Sequence, residues 1–197
     1  FFPEHSTQKR NFTFKDEPEL SEMERFICMI SVGKDPLWET LTDKEKQIRD
    51  EWFCMIGYMV HTYKKPSFSP GIILSDDGAD DVSRNGGRGK TIIAKALMEV
   101  LNTKLKGGNE FDASYRHNFA DLDESVKIYV VDDVPASFKY NDLYTNIVSD
   151  ISIQPKGRKA RTIPFKRAPK FLITTNWAVR YDENATSTNR RFIEFKL

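Results

Sequence analysis

The segment "SRNGGRGKT", residues 83 to 91, carries the strongest chemical signal in the chain. Its close, Gly89-Lys90-Thr91, matches the end of the phosphate-binding pattern G-x-x-x-x-G-K-[ST], but Arg84 stands where the first glycine of that pattern belongs. The apolar run "GIILS" (71–75) precedes it, followed by Asp76, Asp77 and Gly78. The turn out of the strand therefore begins near Gly78, and residues 79–85 form an added excursion. Asn85, Gly86, Gly87, Arg88 and Gly89 then return the backbone to a helix opening at Lys90 and Thr91. Small residues let successive N–H groups converge on a phosphate, and the helix N-terminus adds the positive end of its dipole. In that setting Lys90 is expected to reach the β and γ phosphates of a nucleotide, and the Thr91 hydroxyl to ligate Mg²⁺. Lys90 is expected to pack against nothing the fold needs. A glycine-rich turn with a chance Lys-Thr is the alternative.

Three further groups have the types that phosphoryl chemistry uses. "IYVVDDV" is an apolar run ending in paired carboxylates, where Asp132 would help hold Mg²⁺ through water and Asp133 would polarise an attacking water. A strand-ending Asp-Asp turn is the alternative. "KFLITTN" puts Asn176 at the end of another apolar run, where its amide can orient a water, or cap a turn. In "STNRRFIEF", Arg190 and Arg191 precede a run of strand formers, and one of them could stabilise charge on a transferring phosphoryl group. The alternative is a solvated basic pair.

The elements that must position these groups follow from periodicity. Residues 1–18, polar and containing Pro3 and Pro18, read as a linker. Residues 19–66 read as a small helical subdomain. "ELSEMERFICMI" repeats Leu20, Met23, Phe26, Ile27 and Ile30 at helical spacing. "TDKEKQIRDEWFCMIGYMVHTY" opens on a Thr42/Glu45 capping box and carries a stripe of Ile48, Trp52, Ile56, Met59, Val60 and Tyr63. From 67 to 197 strands and helices alternate. Strands are expected at 71–75, 126–133 and 170–176, each continuous enough in apolar residues to be buried in a parallel sheet. A helix through Ile93, Leu97, Val100 and Leu101 follows the loop. Between the carboxylate pair and the Asn strand, "SIQPKGRKARTIPFKR" (152–167) reads as a hairpin with Lys156, Gly157 and Arg158 at its tip.

The bulk composition restricts partners without choosing one. Thirty basic and 29 acidic residues leave a formal charge of +1, so any polyanion must be met by a local patch. Cys28 and Cys54 each lie in an apolar helical stretch and read as reduced core thiols. His5, His61 and His117 have no metal-ligand spacing, so no structural zinc is expected. No apolar run approaches the length of a membrane span and no signal peptide precedes the domain, which leads to the expectation of a soluble, cytoplasmic protein with no membrane partner.

The order of phosphate loop, carboxylate pair, basic segment, strand ending in Asn176, then Arg190-Arg191 before "FIEF" resembles the superfamily III helicases of viruses and phages, within the AAA+ class of ring ATPases. It is most similar to the helicase domain of phage and mobile-element primase-helicase proteins, which also carry "IGY" ahead of the first strand, here Ile56, Gly57 and Tyr58. The likeness runs over roughly residues 36 to 197. It implies an α/β AAA+ P-loop domain with a central, mainly parallel sheet, preceded by a small helical subdomain. It also implies ATP hydrolysis with Mg²⁺ in a hexameric ring on single-stranded DNA, in a bacterial host, with a primase fused or associated. On this pattern Arg190 or Arg191 is a finger contributed to a neighbour's nucleotide. The hairpin would enter the ring's channel and grip DNA through Lys156, Arg158, Lys159 and Arg161; a charge-protected edge hairpin is the other reading. A non-unwinding initiator or loader, and a small-molecule kinase, use the same phosphate loop.

Overall fold

A computed structural model describes residues 21–76, 87–112, 115, 117–179 and 188–197. Two helices lead: α1 (Glu22–Val32) and α2 (Asp43–Val60). Each starts on a capping box, Ser21 with Glu24 and Thr42 with Glu45, so side chains satisfy N–H groups that a helix leaves without partners. The Lys34 ammonium and the Thr42 N–H and hydroxyl hold the Glu45 carboxyl at about 2, well below its ordinary value.

The rest is built on a parallel five-stranded sheet in the order β2-β3-β6-β1-β7. Its strands are β1 (Gly71–Ser75), β2 (Thr103–Gly107), β3 (Ile128–Val134), β6 (Lys170–Thr175) and β7 (Phe192–Lys196). Helix α3 (Lys90–Val100) follows β1 along the chain, and α4 (Tyr144–Val148) and α5 (Thr188–Arg191) are short. A separate antiparallel pair, β4 (Ile151–Ile153) with β5 (Arg161–Ile163), forms the expected hairpin. The molecule is thus an α/β fold, and among the described residues no helix is long and apolar enough to cross a membrane.

Both faces of the sheet are covered, which is why its strands read as unbroken apolar runs. Ile72 and Leu74 of β1, Ile128 and Val130 of β3 and Leu172 of β6 join Ile27, Trp52, Met55, Met59, Ile93 and Leu97 in one core. The alternate residues Ile73, Tyr129, Val131, Phe171 and Ile173 join Phe111, Phe119, Leu122, Leu143, Ile147 and the hairpin's Ile151, Ile153 and Ile163 in the other. The leading helices therefore share a core with the sheet.

Several expectations about helix faces are corrected. Tyr63 lies beyond the end of α2 and is 61% exposed, and Met55 supplies the buried contact instead. Met23 of α1 and Val100 of α3 are exposed, because the buried stripes pass through Ile27 and Cys28 and through Ile93, Ala94 and Leu97. Cys28 is buried, but Cys54 is exposed on α2 and is not a core thiol. Strand β2 was not expected at all. It lies at the sheet's edge, where Lys104 and Lys106 break the apolar run.

At the amino end of β6, Lys170 is buried under the carboxyl end of α2. Its ammonium donates to the carbonyls of Tyr58 and His61, the latter at 2.6 Å, and sits 3.9 Å from the Tyr58 ring centroid. Lys64 donates to the Pro169 carbonyl at 3.3 Å. Burial pushes Lys170 down to about 7, with the Lys64 charge assisting, and Lys64 down to about 8. In the unfolded chain both stay protonated to about pH 10, so above pH 7 the unfolded state binds more protons and stability must rise with pH. Below about 7 both states are charged and the gain is absent. We expect the urea midpoint to increase between pH 7 and about 8, below the free-thiol midpoint of about 8.5, and Lys170→Met to flatten that rise. A slope identical in parent and variant would exclude Lys170 as its source.

Candidate phosphate and carboxylate site

The end of the glycine-rich loop requires glycine for two reasons. Gly89 is the N-cap of α3 with φ 104°, in the left-handed region, and a Cβ there would lie 2.8 Å from the Phe26 ring of α1. No side chain caps α3 and its first turn holds no acidic residue, so its leading N–H groups face the loop with nothing anionic on the helix to occupy them. Asn85 and Gly86, named above with the loop, lie outside the described residues. Arg88 donates to the carbonyl of Leu197 at 2.7 Å, which ties the loop to the end of β7. Thr91 is exposed on the first turn.

Lys90 departs from expectation. It is 7% exposed, and its ammonium is in contact with Asp76 at the end of β1. Removing it would leave a buried carboxylate uncompensated, so it is part of what the fold needs.

The carboxylate pair lies within the expected strand, one residue before the end of β3. Val131 pairs with Ile173 and Val134 with Thr175, so Asp132 and Asp133 together oppose Thr174 alone. This is a β-bulge, and it explains how Val131 and Val134, three residues apart, enter the same core. Asp133 takes φ 55°, a conformation that Asp tolerates better than most residues. Thr174 holds the bulge from β6: its hydroxyl accepts from the Asp133 N–H at 2.8 Å and donates to Asp132 Oδ1 at 2.6 Å. Asn176, one residue past β6, donates from Nδ2 to Asp133 Oδ1 at 2.8 Å.

These groups meet across one cavity of about 300 Å³. Residues 87–92 form one wall and Asp132, Asp133, Thr174 and Asn176 the other. The structure therefore brings Gly87, Arg88, Gly89, Lys90 and Thr91 together with Asp132, Asp133 and Asn176. Oxygen donors stand on both walls, a set that suits a hard cation shared with phosphate. Among the described residues no group of three or more His, Cys, Asp or Glu is placed to hold a metal by itself. A larger groove of about 920 Å³ runs between α2 and β7, lined by Trp52, Met55, Tyr58, Phe68, Ile193 and Phe195, and is mainly apolar. The polar groups named from sequence converge on the smaller cavity.

Arg190 and Arg191 are not brought to it. They end α5, and the pairing of Phe192 with Gly71 puts them at the amino end of the strands, whereas the carboxylates stand at the carboxyl end. The Arg191 guanidinium lies 4.8 Å from the Tyr144 ring centroid. In the hairpin, Gly157 takes φ 69° at the turn, and Lys156, Arg158 and Lys159 are exposed. Arg161 is different: it donates to the Leu122 carbonyl at 2.5 Å and so pins the hairpin's base.

Sequence reasoning missed Asp76, Thr174 and Gly108. The first two stood beside residues that were read, and their roles depend on which strand is the neighbour. Gly108 follows β2, and a Cβ there would fall 2.4 Å from Val134 Cα and 2.7 Å from the Asp133 carbonyl oxygen. The backbone at 108 is thus a floor for the bulge. We expect Gly108→Ala to cost about 1–3 kcal/mol, typical of overpacking against atoms that cannot rotate away. Gly107→Ala, which would meet nothing within 4 Å, is the control. Urea unfolding of both decides it; equal stabilities would mean that the bulge does not rest on Gly108.

No protein-family model matches this chain, and no curated protein matches it. Among solved structures, the apo A form of the NrS-1 C-terminal region is similar, with a TM-score of 0.56 at 18% identity over 90% of this chain. The chain spans 38% of the length of that structure. The likeness is one of fold.

Proposed function

We propose that this chain is the ATP-hydrolysing core of a DNA translocase of the superfamily III, AAA+ type, serving phage or mobile-element replication. The observation that carries the reading is the two-walled cavity, with a helix N-terminus, Lys90 and Thr91 on one side and Asp132, Asp133 and Asn176 on the other. A nucleotide's phosphates would lie against the α3 N–H groups and Lys90. Thr91 and Asp132 would hold Mg²⁺, which neutralises phosphate charge when bound. Asp133 is suited to accept a proton from an attacking water, and Asn176, already bonded to it, to fix that water's position. Thr174 orients Asp132 and leaves Asp133 free to point into the cavity.

Arg190 and Arg191 stand too far round the fold to serve their own cavity, and we assign one of them to a neighbouring copy's nucleotide in a ring. The exposed cations Lys156, Arg158 and Lys159 lie on a hairpin whose base is buried, a rigid mount for contacting a single strand's phosphates. Arg161 keeps the mount in place.

Asp133→Asn is the cleaner test of the chemistry, because Asp133 is exposed whereas Lys90 is buried in an ion pair. The variant should bind ATP as the parent does and lose about 10²–10⁴ in turnover, the usual contribution of a positioned base. Turnover equal to the parent's would remove Asp133 from catalysis, and no turnover in the parent, with or without single-stranded DNA, would remove the ATPase reading.

For the hairpin, Lys156→Ala with Arg158→Ala should weaken binding to unrelated single-stranded oligonucleotides about equally. The slope of log affinity against log salt should flatten by about 0.7 for each lost contact. Basal ATP turnover should persist. Unchanged affinity and slope would return the hairpin to a charged edge.

A further inference from the structure

The motif assigns Lys90 to phosphate but gives no role to the carboxylate that holds it. Lys90 and Asp76 meet with side chains only 8% and 7% exposed. Asp76 Oδ1 contacts the ammonium, while among the described residues the buried Oδ2 has no hydrogen-bond partner. A carboxylate in that position is a poorly solvated anion whose compensation comes from Lys90. Any phosphate that takes up Lys90 Nζ enters in direct competition with it. Resting on the nucleotide reading above, we propose that Asp76 is an internal anion that occupies Lys90 until a polyphosphate displaces it, and so sets a threshold of affinity that a di- or triphosphate, with its added contacts, passes and a single phosphate group does not.

The argument is one of exchange. Orthophosphate offers Lys90 one anionic group and leaves Asp76 buried without a counter-ion. A polyphosphate makes the same exchange but also reaches the uncapped N–H groups of α3, and these added contacts offset the loss. Asp76 acts through Lys90 and is a positioning residue, not a catalytic one. Its anion also keeps Lys90 compensated in the absence of ligand.

Titration calorimetry with ATP, pyrophosphate and orthophosphate, on the parent, Asp76→Asn and Asp76→Glu, tests it. Asp76→Asn should bind ATP and pyrophosphate about tenfold more tightly, about 1.4 kcal/mol, and orthophosphate more tightly by about the same factor, since each ligand is relieved of the same exchange. Asp76→Glu should return all three affinities toward the parent's. A purely structural role would weaken all three ligands in Asp76→Asn; that result, or affinities equal to the parent's, overturns the proposal while leaving the nucleotide site standing. ATP binding absent from parent and variants alike overturns both. Should Asp76→Asn fail to fold, the Asp76 carboxyl ¹³C resonance in the parent decides: it should move as pyrophosphate saturates the site, and an unmoved signal refutes displacement.

Discussion

The site depends on β6 lying between β1 and β3 in a parallel sheet. Parallel strands in register end together, so the tips of β1, β6 and β3 present Asp76, Thr174 with Asn176, and the Asp132-Asp133 pair on one edge. With β6 inserted, β1 and β3 are two inter-strand spacings apart, about 10 Å. That width separates the phosphate loop from the carboxylates. Were β3 hydrogen-bonded directly to β1, that separation would fall to about 5 Å. The inserted strand also supplies the groups that bridge the gap, since Thr174 lies near its end and Asn176 one residue beyond it.

The bulge in β3 is the local distortion that makes this edge chemical. A regular strand would send Asp132 and Asp133 to opposite faces of the sheet. Two residues opposing Thr174 instead put both carboxylates on the cavity wall, at the cost of a left-handed Asp133. The distortion persists because it is held from three sides: Thr174 takes the Asp133 N–H, Asn176 takes its carboxylate, and Gly108 lets another backbone pass beneath it. The strain is thus fixed by neighbours from β6 and from the segment after β2, none of them near 133 in sequence.

What could be read from the sequence follows the same physics. The runs at 71–75, 126–133 and 170–176 were legible because strands covered on both faces lose the polar alternation that hides shorter strands. The loop's close was legible from Gly89, Lys90 and Thr91, because its chemistry is local. Strand β2 was not, since an edge strand carrying Lys104 and Lys106 looks like a loop. Asp76 was hidden by Asp77 and Gly78, which make the triplet read as a turn. Its partner is fourteen residues away, across a loop whose length disguises the contact. Cys54 and Tyr63 were misplaced because an apolar stripe says where a helix can pack, whereas the sheet decides how much of it does.

The charge inventory of the cavity has a further consequence. Among the described residues its walls carry Arg88 and Lys90 against Asp132 and Asp133, and both cations are engaged, Arg88 with the Leu197 carbonyl and Lys90 with Asp76. A triphosphate would add several negative charges to walls whose cations are already engaged. Such a ligand therefore has to arrive with its own cation, and it gains from any further positive charge delivered at the open side. Arg190 and Arg191, held at the other end of the sheet, stand away from their own cavity, and on the reading proposed above a second copy would be the one to present them.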